Sequence, residues 1–333
     1  MIELLKFIGL VENETIKLVK RKRFGLVMII LVALVTLFAY AQQLTQQRTL
    51  QKVGTLDWKP VVQQQITDYE SRMRNAFVPE DRKKFYQYRI EQARYYLEKG
   101  INPAAPGTAT FVRTFMDLSV SLLLPLLVVT LSADLVSSEW GEGTIKLLLT
   151  RPVKRWKILA AKYTALVMFV SLTVMAALLI AAVVGGFFFG WAGWSMPVAT
   201  GFAVAGGELD SSTAYNIPQW QYILCSYGLG WVVCMVVATI TFTISILVRH
   251  AAAAMGLMLA ALIGGNILID LASSWTAAKY LFMVNMRITG YLSGMVPPIE
   301  GMSLPFSIMV LLAWGAAALA VGFAVFTKRD VLA

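Results

Sequence analysis

The chain has 333 residues, of which 58% are hydrophobic and only 14% charged, and its mean hydropathy is +0.66. That leaves too little polar surface to solvate a set of water-soluble domains and points to a membrane protein. The formal net charge of +10, from 29 Lys and Arg against 19 Asp and Glu, would suit nucleic acid if it lay on one solvated face, but the basic residues here sit between long apolar runs.

The first twenty residues place Ile2, Leu5, Phe7, Ile8, Ile16 and Val19 at roughly helical spacing beside Glu3, Lys6, Glu12, Glu14, Lys17 and Lys20. This predicts an amphipathic interfacial helix over residues 1–23, lying along the inner membrane surface and leading as an elbow into a first span. Lys20 to Arg23, the apolar run and Ala39-Tyr40-Ala41 imitate a signal peptide. Both the amphipathic segment and the apolar run are long for one, so a retained span is expected.

Backbone amides must be paired inside hydrocarbon, so chains cross as helices of roughly 17–25 mainly apolar residues. Six runs qualify: about Phe24 to Gln42, Phe115 to Ala133, Tyr163 to Val184, Tyr222 to Val248, Ala251 to Ile269 and Pro305 to Thr327. In the second, sixteen residues separate Asp117 from Asp134 with Pro125 between them, which predicts a short or kinked helix. Only Arg249 and His250 join the fourth and fifth.

Basic residues alternate between the connections. Lys17, Lys20, Arg21, Lys22 and Arg23 precede span 1; Lys146, Arg151, Lys154, Arg155 and Lys157 lie between spans 2 and 3; Arg249 follows span 4; Lys328 and Arg329 follow span 6. By the positive-inside rule these four segments are cytoplasmic, giving a multi-pass protein with both termini inside. The 191–221 connection has no Lys or Arg and carries Glu208 and Asp210, and it faces outward with 270–304.

The 43–114 connection is extracytoplasmic by parity although it carries twelve Lys and Arg, because loops beyond about 60 residues translocate largely regardless of charge. Within it, Pro60 to Phe77 and Pro79 to Gly100 read as two helices, each with a proline near its start, the second with Glu80 and Asp81 in its first turn and Gly100 as its end. Ile66, Tyr69, Met73, Phe77, Phe85, Tyr88, Tyr95 and Tyr96 can pack this hairpin together or form a binding surface. The expected fold is therefore all-α: a six-helix transmembrane bundle, with the hairpin between spans 1 and 2 and spans 2–6 in a transmembrane domain over 115–333.

No GxxxxGK[ST], HExxH or GxSxG pattern occurs, and Cys225, Cys234 and the single His250 offer no metal or disulfide spacing. No catalytic, cofactor-binding or metal residues are expected in this chain. Asp117, Asp134, Lys162 and Asp270 fall at span ends, where anchoring or snorkelling is the expected role. Glycines at Gly186-Phe187-Phe188-Phe189-Gly190, Gly228, Gly230, Gly256, Gly264 and Gly265, with Asn266, allow close helix approach.

The most informative stretch is the cytoplasmic loop 137–158. Gly141 and Gly143 should break the helix leaving the membrane, Thr144 can cap a new short helix through Leu149, and Pro152 ends it. Leu147 to Leu149, surrounded by Glu142, Lys146 and Arg151, cannot all face lipid and are expected to meet another protein surface.

Glu142-Gly143-Thr144, Leu147-Leu148-Leu149, Pro152, Arg155 and Lys162 resemble the pattern of permease subunits of ABC-2 type ATP-binding cassette transporters. The ending Phe326-Thr327-Lys328-Arg329-Asp330 is similar to that family's, and Ser273 to Pro298, with Trp275, Tyr280, Phe282 and Tyr291, resembles its re-entrant element before the last span, although an interfacial aromatic belt would use the same residues. The resemblance implies that the loop forms a coupling helix docking on a separate ATPase, with Glu139, Gly141, Glu142, Gly143, Thr144, Lys146, Leu147, Leu148 and Leu149 at or near that interface and Pro152 and Arg155 leading back to the membrane. It further implies two ATPase chains that hold the ATP and magnesium, and a homodimer or a heterodimer with a related permease in a bacterial plasma membrane.

The expectation is thus a membrane-spanning permease subunit of an ATP-driven exporter for an amphipathic or hydrophobic substrate such as a peptide antibiotic, drug or lipid, with an unknown substrate site and no nucleic-acid partner. An ATP-independent secondary carrier is the alternative, as is a membrane scaffold or sensor without transport.

Overall fold

The computed structural model describes residues 2–54, 57–75, 78, 80–141, 153–205, 208–248, 250–271 and 275–328. Helix α1 (Ile2–Lys20) meets α2 (Arg23–Val53) at Lys22, whose φ of 56° turns the chain between them. Helix α2 runs on past Gln42 because the Gln, Leu, Arg and Lys residues that follow still favour helix, and it stops at Gly54, whose N–H returns to the Leu50 carbonyl at 2.8 Å. Next come α3 (Trp58–Met73) and α4 (Glu80–Lys99), which pack through Val62, Ile66, Ile90 and Ala93.

The second apolar run is broken. Helix α5 (Thr108–Ser119) and α6 (Leu123–Ser132), with its continuation to Glu139, are bent by 63°. The break falls at 120–122, ahead of Pro125, which sits in the first turn of α6 where a missing N–H costs nothing. The Ser121 carbonyl freed there is taken by Asn266 Nδ2 at 3.3 Å, so the interruption is paired inside protein. Helix α7 (Ser137–Gly141) follows, pinned by the Ser245 hydroxyl, which accepts the N–H groups of Val136 and Ser137 at 3.1 and 3.0 Å.

Helix α8 (Arg155–Phe189), α9 (Gln219–Leu247), α10 (Ala251–Leu271) and α11 (Leu304–Lys328) complete the bundle. Five helices (α2, α8, α9, α10 and α11) are long and apolar enough to cross a membrane, or six spans if the bent pair counts as one. Helix α9 is the axis: 72% of its most apolar stretch is buried, against 33% or less in the other four. Those four present one face to the core and another outward. In α2, Val27, Leu31, Val35 and Ala39 recur every fourth residue on the buried side, while α8 exposes Met168, Leu172, Met175, Leu179 and Val183 as an opposite stripe.

Among the described residues, the fold departs from all-helical in one place. Between α8 and α9, β1 (Pro197–Thr200) pairs antiparallel with β4 (Tyr215–Pro218), and β2 (Ala203–Ala205) with β3 (Glu208–Asp210). This small element lies at the hairpin end of the bundle, where Phe202 meets Tyr95 of α4 with ring centres 5.2 Å apart. Gly107 opens α5 there at φ 130°, against the backbone of Ala192, so closely that a Cβ would collide with it. Between α10 and α11 the chain forms three 3-10 turns, Thr276–Tyr280, Phe282–Asn285 and Ile288–Ser293, fastened to α11 by the Trp314 indole donating to the Tyr280 carbonyl at 2.8 Å.

Candidate functional site

The opposite, α1 end of the bundle concentrates ionisable groups in buried positions. Helix α1 lays Glu14 and Leu18 against α8, one turn apart, and leaves Leu4, Leu5, Ile8, Ile16 and Val19 exposed. Lys17 lies on the inward side with Glu14, as its i+3 spacing requires. Helix α7 contributes Glu139 and the second turn of α8 contributes Lys162.

These four close an alternating ring. Lys17 Nζ donates to Glu14 Oε1 at 2.9 Å and to Glu139 Oε1 at 3.1 Å; Lys162 Nζ donates to Glu14 Oε2 and Glu139 Oε1, both at 2.7 Å. The third Lys162 proton points to the Leu135 carbonyl at 3.4 Å, so all three donors of this fully buried ammonium are used. Burial alone would raise the Glu14 carboxyl, but Lys162 and Lys17 outweigh it and hold the group below the usual carboxylate range. Burial likewise opposes the charge on Lys17, yet Glu14 and Glu139 hold its ammonium above the ordinary lysine value.

A second set flanks the ring. Asp134 Oδ2 accepts from Arg21 at 3.3 Å and Arg23 at 3.0 Å, and Arg21 also donates to the Ser138 hydroxyl at 2.7 Å. In the first turn of α8, Lys157 pairs with Glu3 at 2.8 Å on the surface. Among the described residues no group of three or more His, Cys, Asp or Glu is arranged to hold a metal ion.

The expected site residues are distributed unevenly over this arrangement. Glu139, expected at or near a partner interface, is 3% exposed and bound to Lys17 and Lys162 inside the chain. Gly141 ends α7, and Arg155 begins α8, half-buried. Glu142, Gly143, Thr144, Lys146, Leu147, Leu148, Leu149 and Pro152 lie outside the described residues. Asp134 and Lys162, expected to anchor or snorkel, are buried in ion pairs instead. Glu14 was missed as a site residue. Its signal was its position on α1 beside Lys17 and Leu18, since a carboxylate on the inward stripe of an amphipathic helix needs a cation on the facing element.

Residues 81–332 match a family described as protein of unknown function, DUF2705. The chain is 27% identical over 277 residues to the uncharacterized protein YhcI of Bacillus subtilis strain 168, covering 82% of this chain and 84% of that protein. It is 29% identical over 217 residues to the uncharacterized membrane protein YdbK of the same organism, covering 64% and 80% respectively. These findings overturn the resemblance to ABC-2 type permeases: the matched family is a different one, and neither relative bears a permease name. The physical reason lies in the motif, because glycines that break a helix, a capping threonine, an apolar triplet and a terminating proline among basic residues are what any short interfacial helix between two spans needs. With its membrane-spanning helices and a match that reaches from α4 past the end of α11, the chain is a multi-pass membrane protein and belongs to the DUF2705 family.

Proposed function

We propose that this protein is the membrane-embedded, non-catalytic subunit of an ATP-driven exporter, energised by a separate ATPase that docks on the segment around residues 142–152. In this reading the bent α5–α6 pair is one of six spans, both termini and the α1 end are cytoplasmic, and the α3–α4 hairpin stands outside a bacterial cell membrane. The basic residues before α2, around α8 and after α11 support that orientation.

The observation that carries the proposal is the closed ring of charges. It ties Glu139, on one flank of the 142–152 segment, to α1 through Lys17 and to α8 through Lys162, and the separate surface pair Lys157–Glu3 joins the other flank to α1. A partner pressing on that segment would move α1, α7 and the start of α8 as one body. Partner binding shifts such an equilibrium by its difference in affinity for the two states, which is where nucleotide-dependent docking would deliver work. Cargo is amphipathic, passing along a pathway shared with a second copy or a related subunit.

Purification of the intact protein from its native membrane in mild detergent tests this. A stoichiometric ATPase partner should accompany it, and Glu142→Ala should lower the partner's stimulated hydrolysis while leaving membrane insertion intact. A chain that purifies alone and supports no hydrolysis overturns the proposal in favour of an ATP-independent carrier or a membrane scaffold.

A further inference from the structure

At the hairpin end, α3 and α4 roof a cavity of about 300 Å3 whose floor is made by α5, β1, the start of α9 and the last 3-10 turn. Its size is at the lower end of small-molecule sites, which run from roughly 300 to 1,000 Å3. Two arginines line it, Arg89 of α4 and Arg113 of α5. Gln92 lines it beside Arg89: its amide donates to the Ser293 carbonyl at 2.7 Å and its oxygen accepts from Arg89 at 3.0 Å. Arg113 donates to the Pro103 carbonyl at 2.7 Å and lies 5.5 Å from the centre of the Tyr222 ring.

Neither arginine makes an ion pair among the described residues, although each guanidinium carries five N–H donors and these bonds use few of them. Asp117, one turn beyond Arg113 and within its electrostatic reach, supplies a carboxylate faced by the Thr289 and Ser226 hydroxyls, the latter at a long 3.5 Å. The cavity thus holds two positive charges and one negative charge. The Tyr222 hydroxyl belongs to a residue that is 1% exposed, and it makes no hydrogen bond of full geometry, with the Ser293 side chain facing it across the cavity lining. A buried hydroxyl with an incomplete hydrogen bond is costly, and a ligand atom in the cavity would recover that cost. Leu118 lines the same cavity and is 56% exposed, so an apolar side chain open to the surroundings borders it.

We propose that this cavity binds the head group of an anionic amphiphile, a phosphate ester that also carries a hydroxyl or amine donor, with its apolar chain leaving past Leu118 into the bilayer. Arg89 and Arg113 hold the anion, Tyr222 donates to it, and Asp117 accepts from the donor. The juxtaposition joins segments scattered from residue 62 to residue 293, and the hairpin supplies one of its two arginines. The inference names the ligand chemistry of the transport reading above and rests on it for its purpose, but binding is measured without an ATPase. An amphiphile that binds here and is never moved would count against the transport reading alone.

The test is direct titration of the purified full chain with dihexanoyl phosphatidylglycerol, followed by thermal shift and thermophoresis. Soluble glycerol phosphate and dihexanoyl phosphatidylcholine serve as the two comparison probes. Phosphatidylglycerol should bind at least about tenfold more tightly than either, and Arg113→Gln and Arg89→Gln should each weaken it about tenfold or more, as expected for charge-assisted bonds. Tyr222→Phe separates a ligand role from a structural one, because the hydroxyl it removes makes no full hydrogen bond within the protein: the ligand-free melting temperature should hold while affinity falls. Glycerol phosphate binding as tightly as the lipid would overturn the amphiphile and leave a soluble anion site. Equal binding of phosphatidylcholine, or affinity unchanged in all three variants, would overturn the site itself.

Discussion

At the residue scale, Lys162 shows how far a span-end charge can be committed. Its three donors go to Glu14, Glu139 and the Leu135 carbonyl, and it is buried. Removing one partner of such a set leaves an uncompensated charge, so Lys162→Met should lower stability by about 3–5 kcal/mol, whereas adding Glu139→Gln should cost less than the sum of the two single changes. Thermal melts of the purified protein across pH check this together with the protons. Because Glu14 is held below its ordinary value of 4.5, its contribution is complete above that pH and fades as pH falls through the lower folded value. Lys17, held above 10.5, keeps its contribution up to that pH and loses it at still higher pH. Glu14→Gln should therefore flatten the acid limb of the profile; an unchanged acid limb would remove Glu14 from the account. Lys162 was legible as a span-end residue, but its pairing was not, because Glu14 and Lys162 lie 148 residues apart and nothing local to α8 announces its partner on α1.

At the scale of elements, apolar run lengths located the long helices well, and Asp117, Asp134 and Pro125 announced an interrupted second run. The position of the break was not legible, because it depends on Asn266 arriving from α10 to satisfy the Ser121 carbonyl. The small strands escaped for a related reason: three- and four-residue segments carry too little alternation to stand out, and Phe202 packs only once α4 is in place. Glycine spacing marked close approach without saying which glycine makes it. On α10, a Cβ on Gly265 would run into Met283 near its own backbone, whereas one on Gly264 would meet nothing within 4 Å. Gly265→Ala should thus cost about 1–3 kcal/mol and Gly264→Ala should be neutral or slightly stabilising through helix propensity, measured as melting temperatures of the two variants side by side. Equal effects at the two neighbours would mean that α10 packs through another face.

At the scale of the molecule, composition alone made membrane insertion legible, since the polar surface is too small for a soluble body. What stayed hidden was the division of labour between the ends: a charge ring drawn from three helices at one, and at the other a cavity whose polar groups come from elements that sequence order separates widely. Orientation is a property of this scale as well. Single cysteines placed at Gln64 and Ser212 in a chain with Cys225 and Cys234 replaced should react with an impermeant thiol reagent in intact cells, while one at Lys154 should react only after the membrane is opened. The reverse pattern would invert the proposed topology.

The ring of Glu14, Lys17, Glu139 and Lys162 also has a consequence for the electrical field across the bilayer. Moving one elementary charge through the full potential involves about 2.3 kcal/mol for each 100 mV. Two carboxylates and two ammonium groups sum to zero, so displacing the ring as a unit does no net electrical work. The ring thus adds no gating charge of its own to a rearrangement transmitted through it, and any voltage sensitivity would come from the charges outside it.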